Sequence, residues 1–221
     1  MKVESFSKAS IHPHIQVDFV QGKSNSVVIE SMSVAEEKLT VKVENNTLQM
    51  YLEGAKIFTK TEKRDWDKGR KAIYKGTIVK ATVTFKSIKD LSLKGEENFS
   101  FTNGFNTSEL NAHIYGASTL LFKEIDVADF KAVIYGEAQL KIEKGHVQNQ
   151  KYTVYGEAEI DAEKMTSKVT KITAYGEAKL NVNVSETLKV SSFGAASIFY
   201  KGNPKVQKGI NFGETTISSI N

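Results

Sequence analysis

The sequence contains no cysteine among its 221 residues and only two prolines, Pro13 and Pro204. The lack of cysteine excludes a disulfide framework, a thiolate zinc site and a cysteine nucleophile. No run of eighteen apolar residues occurs, so no transmembrane helix is predicted. The N-terminus also lacks the apolar core of a signal peptide. The chain is therefore expected to be either a cytoplasmic protein or a mature form without its leader.

Motifs of common enzymes and metal sites are missing as well. No serine lies in a Gly-x-Ser-x-Gly elbow, and no glycine-rich phosphate loop is present. His12 and His14 form a His-x-His pair around Pro13, but no third ligand lies at helical or hairpin spacing. We interpret this pair as part of a surface turn. We predict no catalytic residues, no metal site and no cofactor.

What the sequence does contain is an uneven charge. Residues 56–75 hold eight basic and three acidic side chains, a net charge of +5, which leaves −1 for the rest of a chain whose total is +4. Both arginines and the only tryptophan lie in this segment, and other aromatic side chains interleave with the lysines. Surfaces of this composition suit anionic glycans, lipid headgroups or nucleic acid.

This basic aromatic segment is predicted to be an inserted β-hairpin near the N-terminal end of the fold. Five of its side chains are the predicted ligand-binding residues: Lys63, Arg64, Trp66, Arg70 and Lys71. Two other interpretations stay open. The hairpin tip is solvated while its aromatic residues pack on the fold, or the segment covers an open end of the fold, since exposed strand edges invite aggregation.

The strongest pattern is a repeat of about twenty residues. The tetrapeptide Tyr-Gly-Glu-Ala begins at Tyr135, Tyr155 and Tyr175, and degenerate copies flank these three. The glycines of the series occur at intervals of 18 to 21 residues: Gly95, Gly116, Gly136, Gly156, Gly176, Gly194 and Gly213. A fixed period of this length indicates one supersecondary unit stacked on itself.

The residues around each glycine alternate as strands do. In residues 138–142, for example, Ala, Leu and Ile occupy one face while Gln and Lys occupy the other. Twenty residues at ~3.3 Å each give a path of roughly 65 Å, which closes one coil of about three short strands. Leucine-rich repeats, propeller blades and calcium-binding nonapeptides do not fit the pattern. We predict an all-β fold, a right-handed parallel β-helix with coils of about twenty residues.

Each position of the repeat has a predicted place in that fold. The glycines mark the coil corner, because glycine takes a positive φ without steric penalty. The aromatic residues before them form a column in which neighbouring rings overlap. Glu137, Glu157 and Glu177 form a second column, which faces water, is balanced by lysines or holds a cation, since stacked like charges repel.

The first part of the chain is less regular. Alternation predicts strands at residues 15–19, 39–43, 48–52 and 78–85, with Asn45 and Asn46 forming a tight hairpin turn. No stretch combines helical periodicity with caps, so at most one or two helical turns are expected. We predict a single β-helical domain over residues 1–221. Residues 1–90 would form the N-terminal coils and basic hairpin, and residues 91–221 the regular coil stack.

The C-terminal coils resemble a known family. The stretch Ser-Ile-Phe-Tyr-Lys-Gly-Asn-Pro at residues 197–204 is similar to the closing motif of the head GIN domain, described as a putative auto-transporter adhesin domain. The stretches at residues 6–11, 15–22 and 46–48 also look like that family. The family usually carries Ser-Gly-Ser-Gly-Asp corners where this chain has Tyr-Gly-Glu-Ala, so no role of those small polar corners is carried over.

The resemblance implies a right-handed β-helical fold and an exported cell-envelope protein of Bacteroidetes type, located in the periplasm or at the cell surface. It implies no established activity and no catalytic residues. The hypothesis is a non-enzymatic, adhesin-like binding protein that presents its sheet faces and the basic hairpin to a glycan or a surface protein. Nucleic acid is not an expected partner. Membrane contact is expected only through a removed leader or a lipid anchor.

Two alternatives stay open at this point. Parallel β-helices often degrade acidic polysaccharides with carboxylates and a basic residue on an outer face, and such a set is present here: Lys141, Glu159, Asp161 and Lys179. A carbohydrate-active enzyme acting on an acidic polysaccharide is therefore the second hypothesis. The third is a structural envelope protein that self-associates through its stack ends or faces, as a homo-oligomer.

Overall fold

The computed structural model describes residues 1–55 and 73–220. Within these ranges the chain forms strands and one short 3-10 helix, Glu36–Lys38. The strands are β1 Lys8–Ile11, β2 Ile15–Gln21, β3 Ser26–Met32, β4 Leu39–Glu44, β5 Thr47–Leu52, β6 Val79–Phe85, β7 Asp90–Gly95, β8 Asn98–Gly116, β9 Thr119–Ile142, β10 Gly145–Lys201, β11 Lys205–Phe212 and β12 Thr215–Ser219.

From β7 onward, each coil lies on the one before it in parallel register. β7 pairs with β8, β8 with β9 and β9 with β10, and β11 and β12 pair with the last coil of β10. The β9–β10 pairing offsets partners by twenty residues, as in Tyr135 with Tyr155. The result is a β-solenoid of about six turns, which confirms the predicted all-β parallel β-helix.

The glycine corner forms the single file that the repeat predicts. Gly95 pairs with Gly116, and Gly136 pairs with Gly156. Every glycine of the series has a positive φ, from +96° to +140°. A Cβ added at Gly156 would lie 2.7 Å from the carbonyl oxygen of Gly136. The corner therefore needs glycine for two reasons, the backbone conformation and the close approach of the next coil.

The strands differ from the sequence prediction in length. The repeat predicts about three short strands per coil, yet β9 runs for 24 residues and β10 for 57. The glycine corners change the direction of the chain without interrupting the ladder, because hydrogen bonds to the neighbouring coils continue through them. The β-sheet therefore wraps around the core as an almost continuous surface.

The first coils stack in a different order from their order in the sequence. β1 lies between β5 and β7, and β2 lies between β6 and β8. β5 and β6 are thus the outermost parallel strands at this end of the stack, although β1 and β2 precede them in the chain. The predicted hairpin turn at Asn45 and Asn46 joins β4 to β5, and both asparagines have a positive φ.

The core is a narrow apolar interior built from the inward positions of every coil. Phenylalanine rings stack along it, with centroids 4.9 Å apart between Phe19 and Phe101 and 4.5 Å apart between Phe101 and Phe122. A polar cluster lies in the same interior. The Gln150 amide donates to the hydroxyls of Ser167 and Thr170 at 2.9 and 2.7 Å, and accepts from the Tyr152 hydroxyl at 2.7 Å. Because these groups satisfy one another, the core tolerates them.

Candidate binding face

The exposed aromatic residues form one straight file along the solenoid, called here the aromatic file. Its members directly precede the corner glycines: Tyr115, Tyr135, Tyr155, Tyr175, Phe193 and Phe212. The four ring pairs from Tyr115 to Phe193 have centroids 4.9 to 5.0 Å apart and planes within 7° of parallel. Tyr135, Tyr155 and Tyr175 are each 39–40% exposed. The predicted aromatic column is therefore confirmed.

The stacking decides which part of each ring is available to a ligand. Each ring from Tyr135 to Phe193 has its two faces against its neighbours, so it presents mainly its edge to solvent. In the tyrosines that edge carries the phenol hydroxyl, which both donates and accepts hydrogen bonds. Burial and the neighbouring Tyr135 raise the pKa of Tyr115, so its phenol stays protonated at neutral pH. From Tyr115 to Tyr175 the file is therefore a row of hydroxyl groups rather than a row of open ring faces.

The same file continues into the N-terminal coils with a change of chemistry. Lys94 pairs with Tyr115. Because Ile11 pairs with Leu93, the next residues, His12 and Lys94, are neighbours in adjacent coils. The His12 ring lies 5.8 Å from the ring of Tyr51 in the next coil. Burial, followed by the charge of Lys94, lowers the pKa of His12 to about 4.

The interpretation of His12 as part of a surface turn was thus incomplete. Its side chain is half-buried within this file, whereas His14 does lie at a turn, with a positive φ and its Nδ1 2.7 Å from the carbonyl oxygen of Gly76. Within residues 1–55 and 73–220, no three histidine or acidic side chains come close enough to hold a metal ion.

A second file on the same face consists of lysines four residues before the aromatic residues, and is called here the lysine file. Its members are Lys131, Lys151, Lys171 and Lys189. Lys131 pairs directly with Lys151, and Lys171 lines the same shallow groove as both. Because Tyr175 stacks on Phe193, Lys189 follows Lys171 in the next coil. None of the four forms an ion pair with a described carboxylate.

Sequence reasoning missed the lysine file although a signal was present. The pattern Lys-x-x-x-Tyr-Gly occurs in the three most regular coils, beginning at Lys131, Lys151 and Lys171. The twenty-residue period that aligns the tyrosines also aligns these lysines. Between the two files lie the side chains of Val133, Thr153, Thr173 and Ser191, which complete the candidate binding face.

On the other side of the corner, the predicted glutamate column faces a shallow groove. Glu137, Glu157, Glu177 and Glu214 line it together with small residues such as Ala158, and its volume is about 590 Å³. Glu137 and Glu157 are paired in register and exposed to water. The glutamate column therefore faces water, which is one of the arrangements predicted from the sequence.

The residues of the enzyme hypothesis lie beside this groove. Lys179 and Glu159 form an ion pair with Nζ 3.2 Å from Oε1, and both side chains are about half exposed. Asp161 pairs in register with Lys141. The sequence correctly places these four residues together. However, Glu159 and Lys179 neutralise each other on an open, water-filled face, where electrostatic stabilisation of a transition state is weak.

The five ligand-binding residues predicted from the basic aromatic segment lie outside the described residues. They are Lys63, Arg64, Trp66, Arg70 and Lys71. Their assignment stays a prediction from the sequence.

Comparison with known proteins gave a family and several similar folds. The model of a family described as "Putative auto-transporter adhesin, head GIN domain" matches residues 5–204. A comparison with curated protein sequences found no significant match. In the described part of the chain, no helix has the length and hydrophobicity needed to span a bilayer.

Solved structures from two bacterial genera share the fold. A putative adhesin from Bacteroides fragilis has a TM-score of 0.83 and 21% identity, over 100% of this chain and 94% of that chain. A putative adhesin from Parabacteroides merdae has a TM-score of 0.71 and 14% identity, over 100% of this chain and 94% of that chain. A putative lipid binding protein from Parabacteroides distasonis has a TM-score of 0.68 and 16% identity, over 100% of this chain and 95% of that chain. At these identities the similarity establishes the fold alone.

Proposed function

Because the chain belongs to the head GIN domain family, we propose that it is a non-enzymatic, exported binding protein of the cell envelope with an adhesin-like role. The observation that supports this most directly is the candidate binding face. It combines a row of exposed phenol groups with a row of lysines that have no described carboxylate partner. Exposed aromatic side chains on a rigid scaffold are typical of interaction surfaces, and a row of like charges attracts ligands of opposite charge.

The regularity of the solenoid suits this role. Each coil from Lys131 to Phe193 presents the same sequence of cation, small side chain and aromatic edge. A ligand that contacts several coils makes the same weak contacts repeatedly, and linked contacts raise overall affinity well above that of one contact. Surface glycans and extended surface proteins both offer such repeated groups.

Binding is tested on an array of purified glycans and extracellular-matrix proteins. The wild-type protein is compared with the triple variant Tyr135→Ser, Tyr155→Ser, Tyr175→Ser, which keeps the corner glycines. We expect retention of the wild type on at least one component and at least tenfold weaker retention of the variant. A second triple variant on the groove side of the corner, Glu137→Ser, Glu157→Ser, Glu177→Ser, is the matched control. Equal retention of the tyrosine variant and this control would show that the candidate binding face does not contribute to binding.

The export part of the proposal has its own test. Cells that express the full-length gene are fractionated, and intact cells are treated with protease before the protein is detected with an antibody. We expect the protein in the envelope fraction, and its digestion in intact cells indicates the outer surface. Recovery in the cytoplasmic fraction contradicts the proposed location.

The basic aromatic segment remains a second proposed contact region, based on its sequence alone. Arg64, Trp66 and Arg70 are its most distinctive side chains, and arginine and tryptophan are enriched among residues that dominate binding energy. The triple variant Arg64→Ala, Trp66→Ala, Arg70→Ala should lose retention on anionic glycans while its melting temperature stays unchanged. Retained binding would limit the contact region to the described face.

A further inference from the structure

The lysine file carries an unbalanced positive charge. Neighbouring strands are ~4.8 Å apart, and two unit charges at that distance repel by about 1 kcal/mol in water. Some lysines on other parts of the solenoid are paired. Lys144 lies 3.1 Å from Glu124, and Lys201 forms an ion pair with Glu163. None of the four lysines of the file has such a described partner, and Lys131 and Lys151 are direct register neighbours.

At the position two residues before the file, carboxylates occur at one end of the file only. Asp129 lies two residues before Lys131, and Glu109 is its register partner in the preceding coil. Asp129 already accepts a 2.9 Å hydrogen bond from the side-chain amide of Asn149. In the following coils that position holds Asn149, Val169 and Thr187, which are uncharged. The positive charge is thus least compensated at Lys151 and Lys171, since the exposed Glu186 lies three residues before Lys189.

Hydroxyl groups accompany each lysine at regular distances. Thr153 and Thr173 lie two residues beyond the file, and the phenols of Tyr155 and Tyr175 lie four residues beyond it. Along an extended strand these offsets are roughly 7 Å and 13 Å. In the coils of Lys151 and Lys171, one cation, one small hydroxyl and one phenol therefore repeat at the ~4.8 Å spacing of the strands. The coil of Lys131 has Val133 in place of the small hydroxyl, and the coil of Lys189 has Phe193 in place of the phenol.

The chemistry of the face selects among classes of ligand. Neutral sugars commonly stack on open aromatic faces, and single-stranded nucleic acids stack their bases in the same way. Both modes are blocked here, because the ring faces within the aromatic file are already occupied by neighbouring rings. A ligand that uses charge and hydroxyl groups instead of stacking fits better, and an extended polymer of acidic sugars offers one carboxylate and several hydroxyls per unit.

We infer that the lysine file and the hydroxyls beside it bind a linear acidic polysaccharide, of the polyuronate type, which runs parallel to the stacking direction of the coils. This inference rests on the proposed binding function and specifies its ligand. The rise of one sugar in an extended chain is close to the spacing of the coils, so successive carboxylates meet successive lysines. The four lysines of the file correspond to a contact about four sugars long.

The experiment measures the affinity of the whole chain for polygalacturonate by biolayer interferometry. Fully methyl-esterified polygalacturonate, which has the same backbone without the charge, is the matched probe. We expect binding to polygalacturonate that weakens at least tenfold between roughly 50 and 200 mM salt, because salt competes with ionic contacts. We expect binding to the esterified polymer to be at least tenfold weaker at low salt.

Variants assign the binding to the face. Lys131→Gln, Lys151→Gln, Lys171→Gln removes three members of the file, and Lys123→Gln, Lys141→Gln, Lys164→Gln removes the same charge from exposed lysines elsewhere. We expect the first triple variant to lose at least tenfold in affinity and the second to change less than threefold. The variant of the lysine file loses the repulsion between lysine charges on neighbouring strands, so the melting temperature of this variant should not fall.

Four results would overturn the inference. The first is equal binding of the charged and esterified polymers, and the second is equal loss in the two triple variants. The third is binding of duplex DNA as tight as that of polygalacturonate with the same dependence on the lysine file, since the face would then be a general polyanion surface. Retention on a neutral glycan or a protein without polygalacturonate binding overturns this inference alone and leaves the proposed function standing.

Discussion

Gly156 illustrates what the fold demands of a single residue. Its φ is +119°, and the neighbouring coil approaches so closely that a Cβ would lie 2.7 Å from the carbonyl oxygen of Gly136. The same contact recurs at Gly176 and Gly194. The spacing of glycines in the sequence predicted this file correctly, because few residues other than glycine adopt such a backbone conformation. The stacked corner glycines in turn align the aromatic residues that directly precede them.

Replacing this glycine should destabilise the protein strongly. For Gly156→Ala we expect a loss of about 2–4 kcal/mol in the free energy of unfolding, from the unfavourable backbone conformation and the clash with the next coil. Gly76 is the control, because its φ is +63° and nothing lies within 4 Å of an added Cβ. Gly76→Ala should cost about 1–2 kcal/mol, from backbone conformation alone. Urea unfolding measures both, and equal losses would contradict the role of coil contact.

His12 makes stability depend on pH. Its pKa is lowered from 6.5 to about 4 in the folded protein, so the fold favours the neutral ring. A lowered folded-state pKa means that this contribution to stability is present above pH 6.5 and is lost as the pH falls from 6.5 towards 4. The ring is only half-buried, so we expect an effect on the order of 1 kcal/mol.

The variant His12→Phe tests this linkage, since phenylalanine keeps an aromatic ring beside Tyr51. We expect its free energy of unfolding to match the wild type at pH 7.5 within about 1 kcal/mol and to fall less than the wild type on acidification to pH 4.5. Denaturant unfolding at the two pH values gives the comparison. A variant with the full acid sensitivity of the wild type would show that His12 is not the responsible group.

At the level of elements, the sequence predicted the regular coils far better than the first ones. In the coils from β7 onward, sequence neighbours are also spatial neighbours, so a period of twenty residues gives the register directly. β1 instead pairs with β5 and β7, which lie about 40 and 80 residues away. No repeat links these strands, so alternation could locate each strand without placing it in the stack.

The candidate face was predicted only in part for a similar reason. The tyrosines stand out in the sequence because they precede an invariant feature of the repeat, the corner glycine. The lysine file has the same period, but lysines are also frequent at other exposed positions such as Lys123 and Lys164. Only the register shows that Lys131 and Lys151 are direct neighbours without described ion-pair partners.

β11, one of the two strands that pair with the last coil of β10, shows how an open edge is protected. Lys208 pairs with Val190, whose side chain is fully buried, so the lysine stands at the register position of a core residue while its own side chain is exposed at the end of the stack. Pro204 precedes the strand, and a register shift follows Val190. A charged side chain at an inward position, a proline and a bulge are features that discourage pairing with another strand edge.

Removal of the inward charge should therefore promote self-association. Lys208→Val would leave an apolar end surface beside Ile210 and Phe212, which are 61% and 67% exposed. We expect concentration-dependent dimers or larger species in sedimentation velocity runs, beyond those of the wild type. Lys205→Val is the control, since Lys205 pairs with Thr187 at an outward position. Identical sedimentation of the two variants would show that Lys208 does not protect the edge.

At the scale of the whole molecule, the solenoid favours binding along a surface over binding in an enclosed pocket. Its interior is filled by side chains, and the grooves found in the described residues are open to solvent. At the N-terminal end, the antiparallel strands β3 and β4 border the parallel coils. The long outer faces are therefore the main surfaces available to a partner.

The proposed partner binds at the aromatic and lysine files. Nuclear magnetic resonance of protein labelled only in its tyrosine rings tests this directly, with the array component that retains the wild-type protein. We expect the signals of Tyr135, Tyr155 and Tyr175 to shift on binding, while that of the buried Tyr152 stays in place. Unchanged signals from the three exposed tyrosines at saturating ligand would contradict the claim.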